Sequence, residues 1–175
     1  MRLRHLLAVI PLAAILITPA PAVAAPPIPS GTFAYFGNVN ASQDGTRRCA
    51  DIDFLAGTYY VELQPCASRS SQRWKLTVQA NGMYIIQNAH TGTCMQPQSP
   101  ATPGRQWFVI LAACAGGSSV DRWQALPYGG GFQFKNNHTG GYLDADRAHS
   151  SAGLVSNNSP SETGPGSFWA LTSTP

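Results

Sequence analysis

The chain has 175 residues, only 11% of them charged, and it is punctuated by 17 Gly and 14 Pro. The formal net charge of +3 falls to about +1 when Arg2 and Arg4 are set aside with the N-terminal segment, so no basic stripe remains for nucleic acid or an anionic membrane surface. Low charge with abundant turn residues argues against a helical protein and for short strands joined by turns.

Arg2, Arg4 and His5 precede an apolar run from Leu6 to Ile17, and Ala22-Val23-Ala24 follows with the small-x-small pattern that a signal peptidase reads. Residues 1–24 are expected to be a cleaved signal peptide and the protein to be secreted. The run is shorter than the roughly 20 residues that cross a bilayer, so no membrane span is expected after cleavage; a retained anchor is the competing reading. Residues 25–30 carry three prolines and read as a stiff leader. The folded domain is placed at 31–173.

From Gly31 the sequence repeats itself. Each unit opens on a short apolar run: Gly31-Thr32-Phe33-Ala34-Tyr35-Phe36, then Gly82-Met83-Tyr84-Ile85-Ile86, then Gly131-Phe132-Gln133-Phe134. Asn- and Gly-rich turns follow, beginning at Asn38, Asn88 and Asn136. A second strand starts at Cys49-Ala50-Asp51-Ile52, at Cys94-Met95-Gln96-Pro97 and at Tyr142-Leu143-Asp144-Ala145. Alternating runs such as Tyr59 to Leu63 predict further strands. Each unit closes on a tryptophan, in Gln72-Arg73-Trp74, Asp121-Arg122-Trp123 and Ser167-Phe168-Trp169. No helical periodicity of useful length appears after residue 24.

One such unit cannot bury its apolar face alone. Three can close around an axis, and closure removes exposed strand edges. The reading is therefore all-β, a β-trefoil of three pseudo-repeats, with a sandwich of short strands as the competitor. Trp74, Trp123 and Trp169 sit at equivalent positions and are expected in the core. Trp107 falls outside that series and is expected to be partly buried.

Four cysteines after an export signal favour disulfides. Pairing within repeats joins Cys49 to Cys66 and Cys94 to Cys114. In the third repeat both positions are substituted together, by Tyr142 and Pro160, as a within-repeat bridge requires. Pairing between repeats, such as Cys49 with Cys94, is the alternative. Each bridge is worth roughly 3 kcal/mol on the chain-entropy account.

Taken together, Cys49-x-Asp51, Pro65-Cys66 and Gln72-x-Trp74 resemble the repeat of the ricin B-type lectins, and the resemblance runs over about 140 residues. It implies a carbohydrate-binding module without catalytic machinery or cofactor, whose partner is a neutral sugar or glycoconjugate. In that family an Asp two residues after the first Cys accepts hydrogen bonds from sugar hydroxyls. An aromatic two residues before the second Cys stacks on the ring, and an Asn before the Gln of the tryptophan motif assists. Carried over, repeat one keeps Asp51 and Gln72 but has Gln64 at the stacking position and Ser71 at the Asn position. Repeat three keeps Asp144, with Asn158 and Gly166 at the other two. Repeat two has Gln96, Ala112 and Val120, and its site is expected to be dead.

Alternation suggests a substitute for the missing aromatic. If Val61 and Leu63 face the core, then Tyr60, Glu62 and Gln64 face outward together, and Tyr60 could flank Asp51. Asp51 with Asp53, and Asp144 with Asp146, lie on single strand faces, which does not provide the opposed carboxylates of a glycosidase or enough ligands for calcium. His90, His138 and His149 lack metal spacing and read as turn residues, so no metal is expected. Asn40-Ala41-Ser42 and Asn137-His138-Thr139 fit the glycosylation acceptor pattern. The rival functional reading keeps the fold and drops the sugar: a protein-interaction or toxin receptor-binding subunit serving a separately encoded secreted protein.

Overall fold

The computed structural model describes residues 28–38, 47–79, 81–98, 107–116, 118–145, 155–158 and 165–175. The expected signal peptide, most of the leader, Asn40, Asp146, His149 and Pro160 lie outside the described residues, as do the side chains of Trp107 and Asn158.

Twelve strands are described, four per repeat. Repeat one has β1 (Thr32–Asn38), β2 (Arg48–Leu55), β3 (Thr58–Pro65) and β4 (Trp74–Val78). Repeat two has β5 (Tyr84–Asn88), β6 (Cys94–Pro97), β7 (Trp107–Ala112) and β8 (Trp123–Tyr128). Repeat three has β9 (Gly131–Asn136), β10 (Tyr142–Ala145), β11 (Val155–Asn158) and β12 (Trp169–Thr172). Short 3-10 turns at Ser70–Gln72 and Pro165–Ser167 precede β4 and β12. No helix among the described residues is long and apolar enough to cross a membrane.

The first and fourth strands of each repeat close a ring: β1 pairs β4, β4 pairs β5, β5 pairs β8, β8 pairs β9, β9 pairs β12, and β12 returns to β1, all antiparallel. A ring has no free edge. The second and third strands form three hairpins, β2–β3, β6–β7 and β10–β11, which meet through β3–β7 and β7–β11 and cap one end of the barrel. This is the expected trefoil, and the sandwich is excluded.

The register repeats with the fold. Ala34 faces Trp74, Tyr84 faces Trp123, and Phe132 faces Trp169 across the ring. The three tryptophans are fully buried, with Phe36, Ile86 and Phe134 beside them. Each indole N–H donates to the carbonyl just before the Asp position, on Ala50, Met95 and Leu143, at 2.9, 3.0 and 2.9 Å. The core thereby fixes the height of each cap hairpin on the barrel. Three buried asparagines then tie each repeat to the one before it. Asn38 Nδ2 donates to Gly166 O, Asn88 Nδ2 to Ser71 O, and Asn136 Nδ2 to Val120 O, at 2.6, 2.8 and 2.8 Å. Sequence reasoning saw these residues only as the starts of turns.

Both within-repeat disulfides are present, Cys49–Cys66 and Cys94–Cys114, and among the described residues no cysteine is free. Pairing between repeats is thus excluded. One boundary needs correction: Ile28, left in the leader by sequence reasoning, is 7% exposed and belongs to the core cluster. Tyr84 Oη donates to its carbonyl at 3.1 Å, which ties this segment to the core.

Candidate functional site on the first cap hairpin

Burial alternates along β3 from Tyr60 to Gln64, while on β2 Cys49, Ala50 and Asp51 are all buried. Ala50, Val61 and Leu63 are buried and Ile52 packs against the same core, so Asp51, Asp53, Tyr60, Glu62 and Gln64 share the other face. The register sets their order along it. Cys49 faces Gln64, Asp51 faces Glu62, and Asp53 faces Tyr60. Tyr60 is therefore one pair removed from Asp51, and its ring meets Phe108 edge-on, with centroids 6.2 Å apart.

Asp51 is 3% exposed, and its carboxylate is held from several sides. Oδ1 accepts the Ile52 amide at 2.8 Å, Oδ2 accepts Gln72 Nε2 at 2.9 Å, and Arg69 Nη1 lies 3.7 Å from Oδ2. Gln72 is fully buried; its Nε2 also donates to Pro65 O at 3.0 Å, and its Oε1 accepts the Ala67 amide at 2.7 Å. The 3-10 turn brings this amide back under β2. Two hydrogen bonds use about half of a carboxylate's lone-pair capacity, so Asp51 retains acceptor positions.

Glu62 and Gln64 complete the polar edge, with Gln64 Nε2 donating to Glu62 Oε1 at 2.8 Å. Burial pushes the Glu62 carboxyl above its ordinary value; the Gln64 amide opposes this, and the charges of Asp53 and Asp51 add to it. Ser71 is half-buried, and its carbonyl is taken by Asn88. Arg69 was missed from sequence, although a cation three residues before Gln72 was there to be read.

The other repeats carry different chemistry at matching places. In repeat three, Asp144 is 5% exposed and Ser167 Oγ donates to its Oδ2. Asn158 faces Tyr142, and Ser156 faces Asp144, which makes Asn158 the counterpart of Gln64. A Cβ on Gly166 would collide with Asp144 Oδ1 and lie 2.8 Å from the Ala145 carbonyl, so the glycine is demanded by close packing. In repeat two, Gln96 faces Ile110 and Cys94 faces Ala112. That hairpin presents apolar side chains where repeat one presents Glu62 and Gln64. Acid and amide are also exchanged there, with Gln96 in the place of Asp51 and buried Asp121 in that of Gln72.

His90 and His138 lie in turns, as expected, while His149 lies outside the described residues. His90 and His138 donate their backbone amides to Asn88 Oδ1 and Asn136 Oδ1, at 2.9 and 3.0 Å. Among the described residues no group of three His, Cys, Asp or Glu is placed to hold a metal ion.

The family profile of the ricin-type beta-trefoil lectin domain matches residues 38–169. The chain belongs to this family. Ricin-type trefoils are carbohydrate-binding domains, and solved structures agree on the fold. The designed 3-fold symmetric protein ThreeFoil superposes with a TM-score of 0.67 at 18% identity, covering 80% of this chain and 97% of that one. The Macrolepiota procera ricin B-like lectin, solved in complex with lactose, gives 0.62 at 16% identity, covering 82% and 96%. A mosquitocidal holotoxin gives 0.68 at 18% identity, covering 85% of this chain but 18% of the toxin. At these identities the likeness is one of fold. No curated protein matches the chain. Against the family pattern, this ricin-type trefoil keeps the carboxylates at 51 and 144 and the buried amide at 72 and lacks the stacking aromatic in all three repeats.

Proposed function

We propose that the protein is a secreted lectin module, with no catalytic role, that binds neutral sugars weakly through repeat one, with repeat three as a second and poorer site. The observation that carries this reading is the anchored Asp51 carboxylate beside Gln72, Arg69, Glu62 and Gln64. Gln72 holds the carboxylate from beneath, while Asp51, Arg69, Glu62 and Gln64 supply acceptors and donors for vicinal hydroxyls, and Tyr60 flanks them one pair further along the hairpin. Without an aromatic directly opposite Asp51, affinity should be low. A millimolar site needs only about −4 kcal/mol, and useful avidity would come from presenting several sites together. Two disulfides and the N-terminal signal pattern support an extracellular location. Neighbouring carboxylates on one strand face do not offer the opposed pair of a glycosidase.

A glycan array on the mature protein tests the reading, with Asp51→Asn and Asp144→Asn alongside. Binding to neutral glycans that Asp51→Asn abolishes is the expected result. Binding unchanged in both variants would refute the site.

A second reading, a protein-interaction subunit on the same trefoil, draws on the tip of the first cap hairpin. Phe54 and Leu55 are 59% and 57% exposed there, more apolar surface than a sugar site needs. An empty array together with a co-purifying secreted protein, lost on Phe54→Ser, would favour it.

A further inference from the structure

An open cleft of about 400 Å³, lined by polar residues, lies between the β4–β5 turn, the segment before β8 and the turn after β9. None of its lining residues belongs to a cap-hairpin strand. Gln79 and Asn81 reach it from the β4–β5 turn, Ser118 and Ser119 from the segment before β8, and Asn137 from the turn after β9; Arg122 forms its wall. Arg122 is 8% exposed and is held by the backbone, with Nη2 donating to Gly116 O at 2.7 Å and Nε to Ser118 O at 3.3 Å. Asp121 Oδ1 lies 3.4 Å from the same Nε. Among the described residues, neither Arg122 Nη1 nor either Asp121 oxygen has a hydrogen-bond partner, and all three atoms are buried. Buried polar atoms left unmet are costly and uncommon.

The fold does not require this place to be polar. At the next junction Tyr128 stands where Gln79 does, five residues after a repeat tryptophan, and Phe168 stands where Arg122 does, just before one. Those two rings stack at 4.2 Å and 9° over Gly129, Gly130 and Gly131, around a space of about 170 Å³. One junction is filled with aromatic surface, while its counterpart is left open and lined with amides, hydroxyls and a guanidinium.

We propose that the cleft around Arg122 is a saccharide-binding site separate from the cap-hairpin face, taking a neutral pyranose through hydrogen bonds alone. The inference rests on the carbohydrate-binding reading above and adds a second place for the ligand. Carboxamides carry a donor and an acceptor side by side, which suits vicinal hydroxyls. Asp121 offsets the charge of Arg122, and among the described residues the lining holds no other ionised group, so a free carboxylate on the ligand would gain little.

The test titrates the ¹⁵N-labelled mature protein with lactose, mannose, N-acetylglucosamine, glucose and glucuronate, reading side-chain amide resonances. The Gln79, Asn81 and Asn137 signals are expected to move with millimolar half-saturation. Asn137 is exposed, so Asn137→Trp should fill the cleft mouth, leave the rest of the spectrum intact and weaken that response about tenfold, the loss of one to two hydrogen bonds. If sugar moves only the Gln64 and Gln72 amides, the cleft inference is overturned and the carbohydrate reading stands. If none of the sugars moves any resonance, both fall. Glucuronate saturating the cleft about tenfold more tightly than glucose would overturn the assignment to a neutral ligand.

Discussion

Replacing Gln72 by methionine keeps the side-chain volume and deletes all of its side-chain hydrogen bonds. Three partners are then left unmet: the Ala67 amide, the Pro65 carbonyl and Asp51 Oδ2, bonded at 2.7, 3.0 and 2.9 Å. An unmet buried group costs about 1–3 kcal/mol, and exposure decides where each falls in that range. Pro65 is exposed and Ala67 half-buried, so both can turn to water and count near the lower end. Asp51 is 3% exposed and counts near the upper end. The expected loss is about 5 kcal/mol, a large share of the net stability of a small domain. Urea unfolding followed by tryptophan fluorescence, with disulfides intact, measures it. In Asp51→Ala the same change should cost about 1.5–3 kcal/mol less, the worth of a hydrogen bond to a charged acceptor. A loss under about 1 kcal/mol, or none of this coupling, would show that Gln72 does not hold the carboxylate in place.

Three further outcomes are expected. Ala56 (φ 50) precedes Gly57 (φ 82) in the β2–β3 turn, and a left-handed alanine is strained. Ala56→Asn should therefore raise stability by about 0.5–1 kcal/mol in the same urea assay; no gain would mean that the turn relaxes at no cost. Gly166→Asn, which matches the family's residue at that position, should destabilise by about 2 kcal/mol or more through overpacking and should add no glycan binding. A stable variant with new binding on the array would contradict the collision with Asp144. Glu62 is raised above its ordinary 4.5, chiefly by burial. The native state then holds this proton more tightly than the unfolded chain, so the contribution is full below the unfolded value and is lost as pH rises through the folded one. Glu62→Gln can still accept the Gln64 amide, and it should flatten that fall, read as urea midpoints from pH 4 to pH 7; an unchanged slope would refute the shift.

Three units, their β character and the pairing of cysteines within repeats were legible because each is written in local spacing. Strand alternation depends on neighbours two residues apart, and a tryptophan recurring in equivalent contexts must occupy equivalent places around an axis. The outward face of Tyr60, Glu62 and Gln64 followed from the same alternation. Other features depended on which distant segments meet. Cross-strand register set Tyr60 opposite Asp53 rather than Asp51. The 3-10 turn returned Gln72 to a carboxylate 21 residues earlier, and ring closure brought Asn38 to Gly166, 128 residues away. Ile28 joined the core through packing against residues distant in the chain, with its carbonyl bonded to Tyr84, 56 residues later. Spacing along the chain specifies which face a side chain takes; register and closure alone decide what it touches, since both sum small displacements over many residues.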